Sequence, residues 1–175
     1  RILVKIIQRA KELFTQGKEI NGATDEVNFF LKDFQSKSSI EQHLDKFCRL
    51  DDHDVMATIK NWCKHPDKIL ATLCRSLVER KLLKVKLQAE AFDENFVKEK
   101  QNEAMAALDI EEENTGYFVF TGEASNTTYN LEDERINILF KDGTIKDISQ
   151  VDNALIQHNL SGATKKYYIC YLKTT

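Results

Sequence analysis

Residues 68–88, KILATLCRSLVERKLLKVKLQ, contain both kinds of hydrophobic periodicity found in this chain. The first half repeats apolar residues at the spacing of one helix face, through Ile69, Leu70, Leu73, Cys74, Leu77 and Val78. From Leu82 onwards the period becomes two, because Leu83, Val85 and Leu87 alternate with Lys84 and Lys86. The switch predicts a helix followed by a half-buried strand, whose lysines face water. It also divides the chain into a helical part and a mixed part.

Residues 1–81 are predicted to form a helical subdomain. Apolar residues recur at helical spacing over residues 2–14, which predicts an amphipathic helix that ends near Gly17. A second, short helix is expected over residues 25–32. The pattern at Arg1 is already that of a helix interior, without the capping residue that usually marks a helix start. We therefore expect the chain to continue a longer one.

Capping residues predict where the next helices begin. They are Ser39, with Gln42 three residues later, for a helix through Phe47, and Asp51 or Asp52 for a helix through Trp62. The turn at residues 64–67 contains Pro66, the single proline of the chain. Proline fits the first turn of a helix because its missing N–H has no partner there, so we expect it at the start of the following helix.

Residues 82–175 are predicted to form an α+β subdomain. The expected elements are a strand over 82–87, a helix over 93–108, strands at 117–121 and 136–140, a short helix capped by Ser149 that contains Val151, Leu155 and Ile156, and a strand over 167–172. Residues 141–144, KDGT, predict a hairpin turn, since glycine tolerates the positive φ required there. The order β-α-β-β-α-β is that of ferredoxin-like folds, so the predicted fold class is α+β.

The composition is that of a soluble globular protein and excludes several function classes. The 175 residues include 25 basic and 28 acidic side chains, for a net charge of −3. This balance lacks the general basic footprint of a nucleic-acid-binding protein. No apolar run reaches about 18 residues, so no membrane span is predicted. The four cysteines form no C-x-x-C pair or zinc framework, which favours buried thiols in a reducing cytoplasm.

The dipeptide His53-Asp54 is the first candidate for metal chemistry, because His and Asp can together bind an ion that activates water or polarises a phosphoryl oxygen. A complete site needs further ligands from separate segments, and none is evident beside the other histidines, which are His43, His65 and His158. The carboxylates of residues 51–54 instead suit a helix N-terminus, where they accept hydrogen bonds from unpaired amides. The sequence therefore predicts a helix cap and no metal ligand.

No nucleophile or phosphate-binding loop is predicted either. His43 and Cys48 are out of register for a thiol–imidazole pair on one helix, and no third group orients them. Glu111-Glu112-Glu113 is expected to be a solvated loop rather than a cation site. The six glycines do not cluster as a phosphate loop requires. We predict no catalytic residue in this chain and assign no cofactor-binding residue.

Two groups of basic residues are the remaining candidates for binding. The first group runs along a helix end and the next strand and comprises Arg75, Arg80, Lys81, Lys84 and Lys86. The second group lies in the same half of the sequence and comprises Lys64, Lys68, Lys98 and Lys100. The simplest interpretation is a solvated surface. The alternative is a shallow anion site, in which lysine and arginine donate to nucleotide phosphates.

Residues 50–84 resemble a block found in HD-domain phosphohydrolases, the deoxynucleoside triphosphate triphosphohydrolase-like proteins of bacteria and their vertebrate SAM-and-HD-domain relative. The resemblance rests on four segments: LDDHDV at 50–55, IKNW at 59–62, HPD at 65–67 and LVERKLLK at 77–84. In that family an L-x-D-x-D helix start is followed by a helix ending in R-N-L-F-K. Here Lys81 replaces the Asn and Leu83 replaces the Phe. Residues 2–14 and 136–171 resemble flanking segments of the same family.

This resemblance implies that the metal-binding HD motif and its partner ligands precede Arg1, and that residues 52–54 match a helix start that binds no metal. The family releases triphosphate from a dNTP or hydrolyses a related phosphoester. The chain is then expected to be the non-catalytic C-terminal regulatory or oligomerisation region of such an enzyme. The implied partners are its own catalytic HD domain, which holds a divalent metal, a second copy, and an effector nucleotide.

Two alternatives remain open at this point. One is a freestanding nucleotide- or RNA-binding module without enzymatic activity, which would use the basic residues together with aromatic side chains on the strands. The other is a purely structural lobe that only provides a dimer contact.

Overall fold

The computed structural model of the chain describes residues 1–32, 40–126, 136–148, 151 and 164–173. Within these ranges the fold is mixed, with helices and two small sheets. The chain divides into two compact units. The first unit comprises residues 1–84, 100–119 and 171–175, and the second comprises residues 85–99 and 120–170. The expected domain boundary after residue 81 stays a prediction.

The first unit is built around a helical core. Its helices are α1 (Ile2–Thr15), α2 (Asp25–Lys32), α3 (Leu44–Arg49), α4 (Asp52–Trp62) and α5 (Lys68–Val78). Helix α1 packs against α2 and α5, and α4 packs against the same two helices. Large side chains of these helices are fully buried, among them Ile6, Leu13, Ile59, Trp62, Leu70 and Leu73. The amphipathic faces of α1 and α5 that the sequence predicts therefore supply the core, as expected for helices stabilised mainly by burial.

Most predicted helix boundaries in this unit are confirmed, and two need correction. Helix α1 ends next to Gly17 as predicted, and α5 occupies the expected residues. The helix expected through Phe47 consists of a 3-10 helix, Ile40–His43, followed by α3. Ser39, its predicted cap, lies outside the described residues. Pro66 is not in the first turn of α5 because Asp67 is the N-cap: its Oδ1 accepts a hydrogen bond from the Leu70 amide at 2.8 Å.

The remaining elements form the mixed part of the chain. They are β1 (Lys84–Gln88), α6 (Glu94–Leu108), a 3-10 helix (Glu112–Tyr117), β2 (Phe120–Asn126), β3 (Asn137–Leu139), β4 (Ile145–Asp147) and β5 (Thr164–Tyr171). The order in the larger sheet is β1-β5-β2, and β2 pairs antiparallel with β5. Strands β3 and β4 form a separate antiparallel hairpin. Its turn contains Gly143 at a φ of 84°, which confirms the predicted turn.

The strand pattern differs in part from the predicted one. The strand expected from Tyr117 begins only at Phe120, because Tyr117 ends the 3-10 helix. Strand β4 was not among the expected elements. The described strands lie in two sheets, so the α+β character is confirmed at the level of mixed helices and sheets, while the ferredoxin-like arrangement stays a prediction. The helix expected from Ser149, with Leu155 and Ile156, lies outside the described residues apart from Val151.

Strand β1 is not half-buried as predicted, because Lys84, Val85, Lys86 and Leu87 are all exposed. Val85 and Leu87 were expected to be buried, but they are 53% and 55% exposed. The lysines instead lie over aromatic rings: Lys84 Nζ is 5.8 Å from the ring centroid of Tyr171, and Lys86 Nζ is 5.3 Å from that of Phe96. A lysine stem covers apolar surface while its ammonium group attracts the ring face, so these contacts are favourable on an exposed strand. Period-two alternation predicts the strand but not how far it is buried.

The pairing of Gly122 with Tyr168 leads to a first testable prediction. A Cβ atom at Gly122 would overlap the phenol ring of Tyr168 on the adjacent strand. We expect Gly122→Ala to displace this ring and to destabilise the β2–β5 pairing by about 1 kcal/mol, as for mild overpacking. The measurement is amide hydrogen exchange of β2 and β5.

Gly116→Ala is the matched control, because a Cβ atom there meets nothing within 4 Å. We expect its exchange rates to match those of the unmodified chain. In a Tyr168→Ala background the Gly122→Ala effect should disappear. Unchanged protection of β2 in Gly122→Ala itself would contradict the proposed overlap.

Candidate functional site

The structure places His53-Asp54 at the start of α4, as the sequence predicts. Asp51 is the N-cap: its Oδ1 accepts hydrogen bonds from the amides of His53 at 2.7 Å and Asp54 at 3.0 Å. In return, Asp54 Oδ2 accepts a hydrogen bond from the Asp51 amide at 3.2 Å, which completes a capping box. The hydrogen bond from the Asp54 amide is the main reason that the pKa of Asp51 is lowered. The His53 side chain is 97% exposed, and its Nδ1 lies 3.5 Å from Asp51 Oδ2. Within the described part of the chain, however, these residues belong to no group of three side chains that could hold a metal ion.

Two other residues considered for chemistry, His43 and Cys48, lie on the 3-10 helix Ile40–His43 and on α3. His43 packs against the ring of Phe29, with 4.9 Å between the ring centroids. Cys48 is exposed, which corrects the expectation that the cysteines are buried thiols; Cys74 and Cys170 are buried as expected. In the ranges that the structure covers, His, Cys, Asp and Glu side chains form no cluster of three that could hold a metal ion. His158 lies outside the described residues.

Glu111-Glu112-Glu113 is exposed to solvent, which confirms the prediction of a solvated acidic run. The prediction of a loop is wrong for most of it, because Glu112 begins the 3-10 helix. This helix ends at Tyr117, which is buried. The acidic run therefore leads into an ordered segment of the first unit.

Several of the basic residues form ion pairs with acidic side chains. Lys81 forms an ion pair with Glu79 at 2.7 Å, and Lys68 forms one with Asp109 at 3.0 Å. Lys100 pairs with Glu103, and its Nζ also lies 5.7 Å from the ring centroid of Tyr171. A binding site for nucleotide phosphates at these residues stays a prediction.

The most organised polar cluster of the first unit was not predicted. Arg9 on α1 forms a bidentate ion pair with Asp67, the N-cap of α5. The distances are 3.1 Å from Nε to Oδ1 and 2.7 Å from the second guanidinium nitrogen to Oδ2. Both side chains are almost buried, at 11% and 13% exposure. Such paired geometry is typical of strong arginine–carboxylate contacts. Asp67 thus joins the two helices and caps one of them.

Tyr117 extends this cluster to the 3-10 helix. Its hydroxyl donates a hydrogen bond to Glu12 on α1, and the guanidinium carbon of Arg9 lies 5.5 Å from its ring centroid. Beside these residues is a cleft of about 410 Å³. Its lining is polar and of mixed charge: Lys5, Gln8, Arg9, Glu12, Gln16, Glu113, Asn114, Gly116 and Tyr117. The sequence shows these residues only as the polar side of α1 and an acidic run, and nothing in it pairs Arg9 with Asp67.

Burial and pairing shift the pKa values of this cluster in opposite directions. Burial on its own would raise the pKa of Asp67, but the hydrogen bonds from Arg9 and from the Leu70 amide, with the charge of Arg9, lower it overall. The hydrogen bond to Asp67 raises the pKa of Arg9. Burial, together with the hydrogen bond to Glu12, raises the pKa of Tyr117 to about 12. At neutral pH the arginine and aspartate are therefore charged and the tyrosine is protonated, so the phenol is no general base.

No family model matches the chain. In sequence, the chain is 26% identical over 177 residues to the uncharacterized protein YwfO of Bacillus subtilis (strain 168), a match that covers 97% of this chain and 38% of that protein. In structure, the chain is similar to the crystal structure of the phosphohydrolase BT4208 from Bacteroides thetaiotaomicron VPI-5482, with a TM-score of 0.79 and 36% identity. That match covers 98% of this chain and 43% of the phosphohydrolase chain.

In both comparisons, nearly all of this chain matches one part of a longer protein. The chain spans less than half the length of either one. Among the residues that the structure describes, no helix is both long and apolar enough to cross a membrane. The chain is therefore similar, over almost all of its length, to one part of a solved phosphohydrolase.

Proposed function

We propose that this chain is the non-catalytic, C-terminal regulatory and oligomerisation region of an HD-family, metal-dependent phosphohydrolase that acts on dNTPs. The observation that carries the proposal is the structural similarity to a phosphohydrolase, which extends over 98% of this chain but only 43% of the other. The block at residues 50–84 supplies the narrower assignment to the dNTP triphosphohydrolase-like enzymes. The parent protein is cytoplasmic in this proposal.

The local chemistry of the chain agrees with a non-catalytic role. The carboxylates of Asp51 and Asp54 cap α4. Among the described residues, His53 and its neighbour Asp51 belong to no group of three side chains that could hold a metal ion. The buried charges Arg9 and Asp67 neutralise each other. A catalytic phosphohydrolase site needs acidic and histidine ligands that converge on a metal ion, so we assign the divalent metal to the upstream HD domain of the parent.

The test compares two proteins, the 175-residue chain and its complete parent. We expect the parent to hydrolyse dNTPs with Mg²⁺, Mn²⁺ or Ni²⁺, and the chain alone to show no turnover above the buffer rate. Product triphosphate is measured with each metal in turn. Robust metal-dependent turnover by the isolated chain would overturn the assignment of a non-catalytic role.

Binding experiments separate this proposal from a freestanding binding module. We expect the parent to respond to an added effector nucleotide and the chain to bind single-stranded RNA no better than a control protein of equal charge. Titration with labelled dNTP and labelled RNA at several salt concentrations measures both. Salt-sensitive RNA binding by the chain, with no nucleotide response of the parent, would favour the binding module.

A further inference from the structure

The polar cleft of the first unit carries charges of both signs on its lining. One wall is a single stripe of α1, on which Lys5, Gln8, Glu12 and Gln16 follow one another at the i, i+3 and i, i+4 spacing of neighbouring side chains. Lys5 and Glu12 are therefore about two turns apart, or about 10 Å along the helix axis. The other wall belongs to the 3-10 helix and adds the exposed side chain of Glu113.

Arg9 adds little to the net charge of the cleft, because its bidentate pair with Asp67 balances it. Lys5, Glu12 and Glu113 supply the remaining charge of the lining. Partial burial lowers the pKa of Lys5, and the negative charge of Glu12 offsets only part of this effect. An anion bound beside Lys5 would stabilise the charged form of this side chain.

Carboxamide side chains are the second feature of the lining, and they belong to Gln8, Gln16 and Asn114. Each offers N–H donors and a carbonyl acceptor, the same two kinds of group that a peptide bond offers. Within the described part of the chain, no protein group forms a hydrogen bond with these three side chains. Gly116 leaves the neighbouring part of the wall open, since a Cβ atom there would meet nothing within 4 Å. The cleft can therefore form hydrogen bonds with peptide groups.

We propose that this cleft binds a short peptide with free ends, whose carboxylate meets Lys5 and whose ammonium group meets Glu12 and Glu113. The peptide groups between these ends pair with the carboxamides. Three extended residues span about 10 Å, which matches the separation of Lys5 and Glu12 along α1. The cleft volume of about 410 Å³ lies in the range of small-molecule sites. This site goes beyond the proposed function and does not depend on it, because its lining belongs wholly to this chain.

The mixed charge of the lining disfavours ligands that carry a single sign of charge. A nucleotide or another anion would meet the carboxylates of Glu12 and Glu113, and a purely cationic ligand would meet the ammonium group of Lys5. A ligand with separated charges of both signs gains at both places, since complementary charges select partners mainly by penalising the wrong ones. A single amino acid has both charges, but they are too close together to span two turns of α1.

Triglycine and two blocked forms of it test the proposal. N-acetyl-triglycine lacks the ammonium group, and triglycine amide lacks the carboxylate, while the size stays nearly the same. Each is titrated into the isotope-labelled 175-residue chain, and binding is followed by the NMR shifts of the side-chain amides of Gln8, Gln16 and Asn114. We expect triglycine to shift these signals and each blocked form to bind at least about tenfold more weakly.

Three variants assign the ends of the peptide. We expect Lys5→Gln to bind triglycine and its amide equally, and Glu113→Gln to narrow the difference between triglycine and its N-acetyl form. Gly116→Leu should block all binding, because its side chain fills the open part of the wall. Lys11→Gln is the control, since Lys11 is an exposed lysine of α1 outside the lining, and it should bind as the unmodified chain does. The fluorescence of Trp62 in urea checks that each variant is folded.

The remaining outcomes overturn the proposal and leave the proposed function intact. Equal binding of N-acetyl-triglycine and triglycine would make the cleft an anion site, and equal binding of triglycine amide would make it a cation site. No binding of triglycine to the folded chain would also overturn it. Binding that persists in a folded Gly116→Leu variant would show that the peptide lies elsewhere.

Discussion

Arg9→Ala is expected to lower the free energy of unfolding of the first unit by about 3 kcal/mol, at the lower end of the range for breaking a buried ion pair. The substitution leaves the Asp67 carboxylate almost buried, at 13% exposure, without its guanidinium partner. It also removes a cation that lies over the Tyr117 ring, next to which Lys5 remains. The chain has a single tryptophan, Trp62, which is fully buried in the same unit. Its fluorescence during urea denaturation therefore reports the unfolding of this unit.

The effect of Arg9→Ala should depend on pH. The pKa of Asp67 is lowered in the folded chain, so its contribution to stability is complete above the unfolded value of about 3.9 and is lost as the pH falls through the folded value. In Arg9→Ala the unpaired carboxyl has a higher pKa and is neutralised at a milder acidity. The stability difference between the two proteins should thus be largest near neutral pH and should narrow in acid.

Lys68→Ala is the matched control for an ion pair that is exposed. Lys68 and Asp109 are 3.0 Å apart, but their side chains are 54% and 98% exposed. Water and salt screen such a pair, and we expect its loss to change the free energy of unfolding by less than about 1 kcal/mol. Equal effects of Arg9→Ala and Lys68→Ala would show that burial does not set the strength of the Arg9–Asp67 pair.

The helical part of the fold could be predicted because its signals are local. The Asp51 cap and the apolar face of α5 depend on residues within one or two turns, and both are confirmed. Pro66 was expected at the start of α5, but it lies one residue before the N-cap of that helix. The structure gives the cap to Asp67, whose carboxylate also meets Arg9.

The polar cluster and the exposure of β1 could not be predicted, because both depend on contacts that are distant in sequence. In the sequence, Arg9 has the position of a solvated residue on the polar side of α1. Asp67 comes within hydrogen-bond distance of it only because α1 packs against α5. For β1, the alternation of lysine with valine and leucine predicts one buried face, but residues of both faces are exposed. Lys84 and Lys86 lie over the rings of Tyr171 and Phe96, and the pattern of the strand itself does not indicate these contacts.

The breadth of the apolar face of α1 leads to the last prediction. The pair Ile2 and Ile6 and the pair Leu3 and Ile7 both have the i, i+4 spacing of a helix face. The sequence does not show which pair lies at the centre of the buried face. In the structure Ile2, Ile6, Ala10 and Leu13 are buried, and Leu3 is 42% exposed. We expect Ile6→Ala to lower the free energy of unfolding by about 2–5 kcal/mol, because a fully buried side chain is replaced by a cavity.

Leu3→Ala on the same helix is the control for this prediction, since it removes a similar aliphatic side chain from a largely exposed position. We expect a change of about 0.5 kcal/mol, typical of a surface substitution. Both variants are followed by the fluorescence of Trp62 in urea. Both substitutions introduce alanine, which has the highest helix propensity, and neither changes a charge. Helix propensity therefore slightly favours both variants and cannot explain a large loss of stability in one of them. A cost for Leu3→Ala as large as that for Ile6→Ala would mean that the centre of the α1 face lies one residue away, towards Leu3 and Ile7.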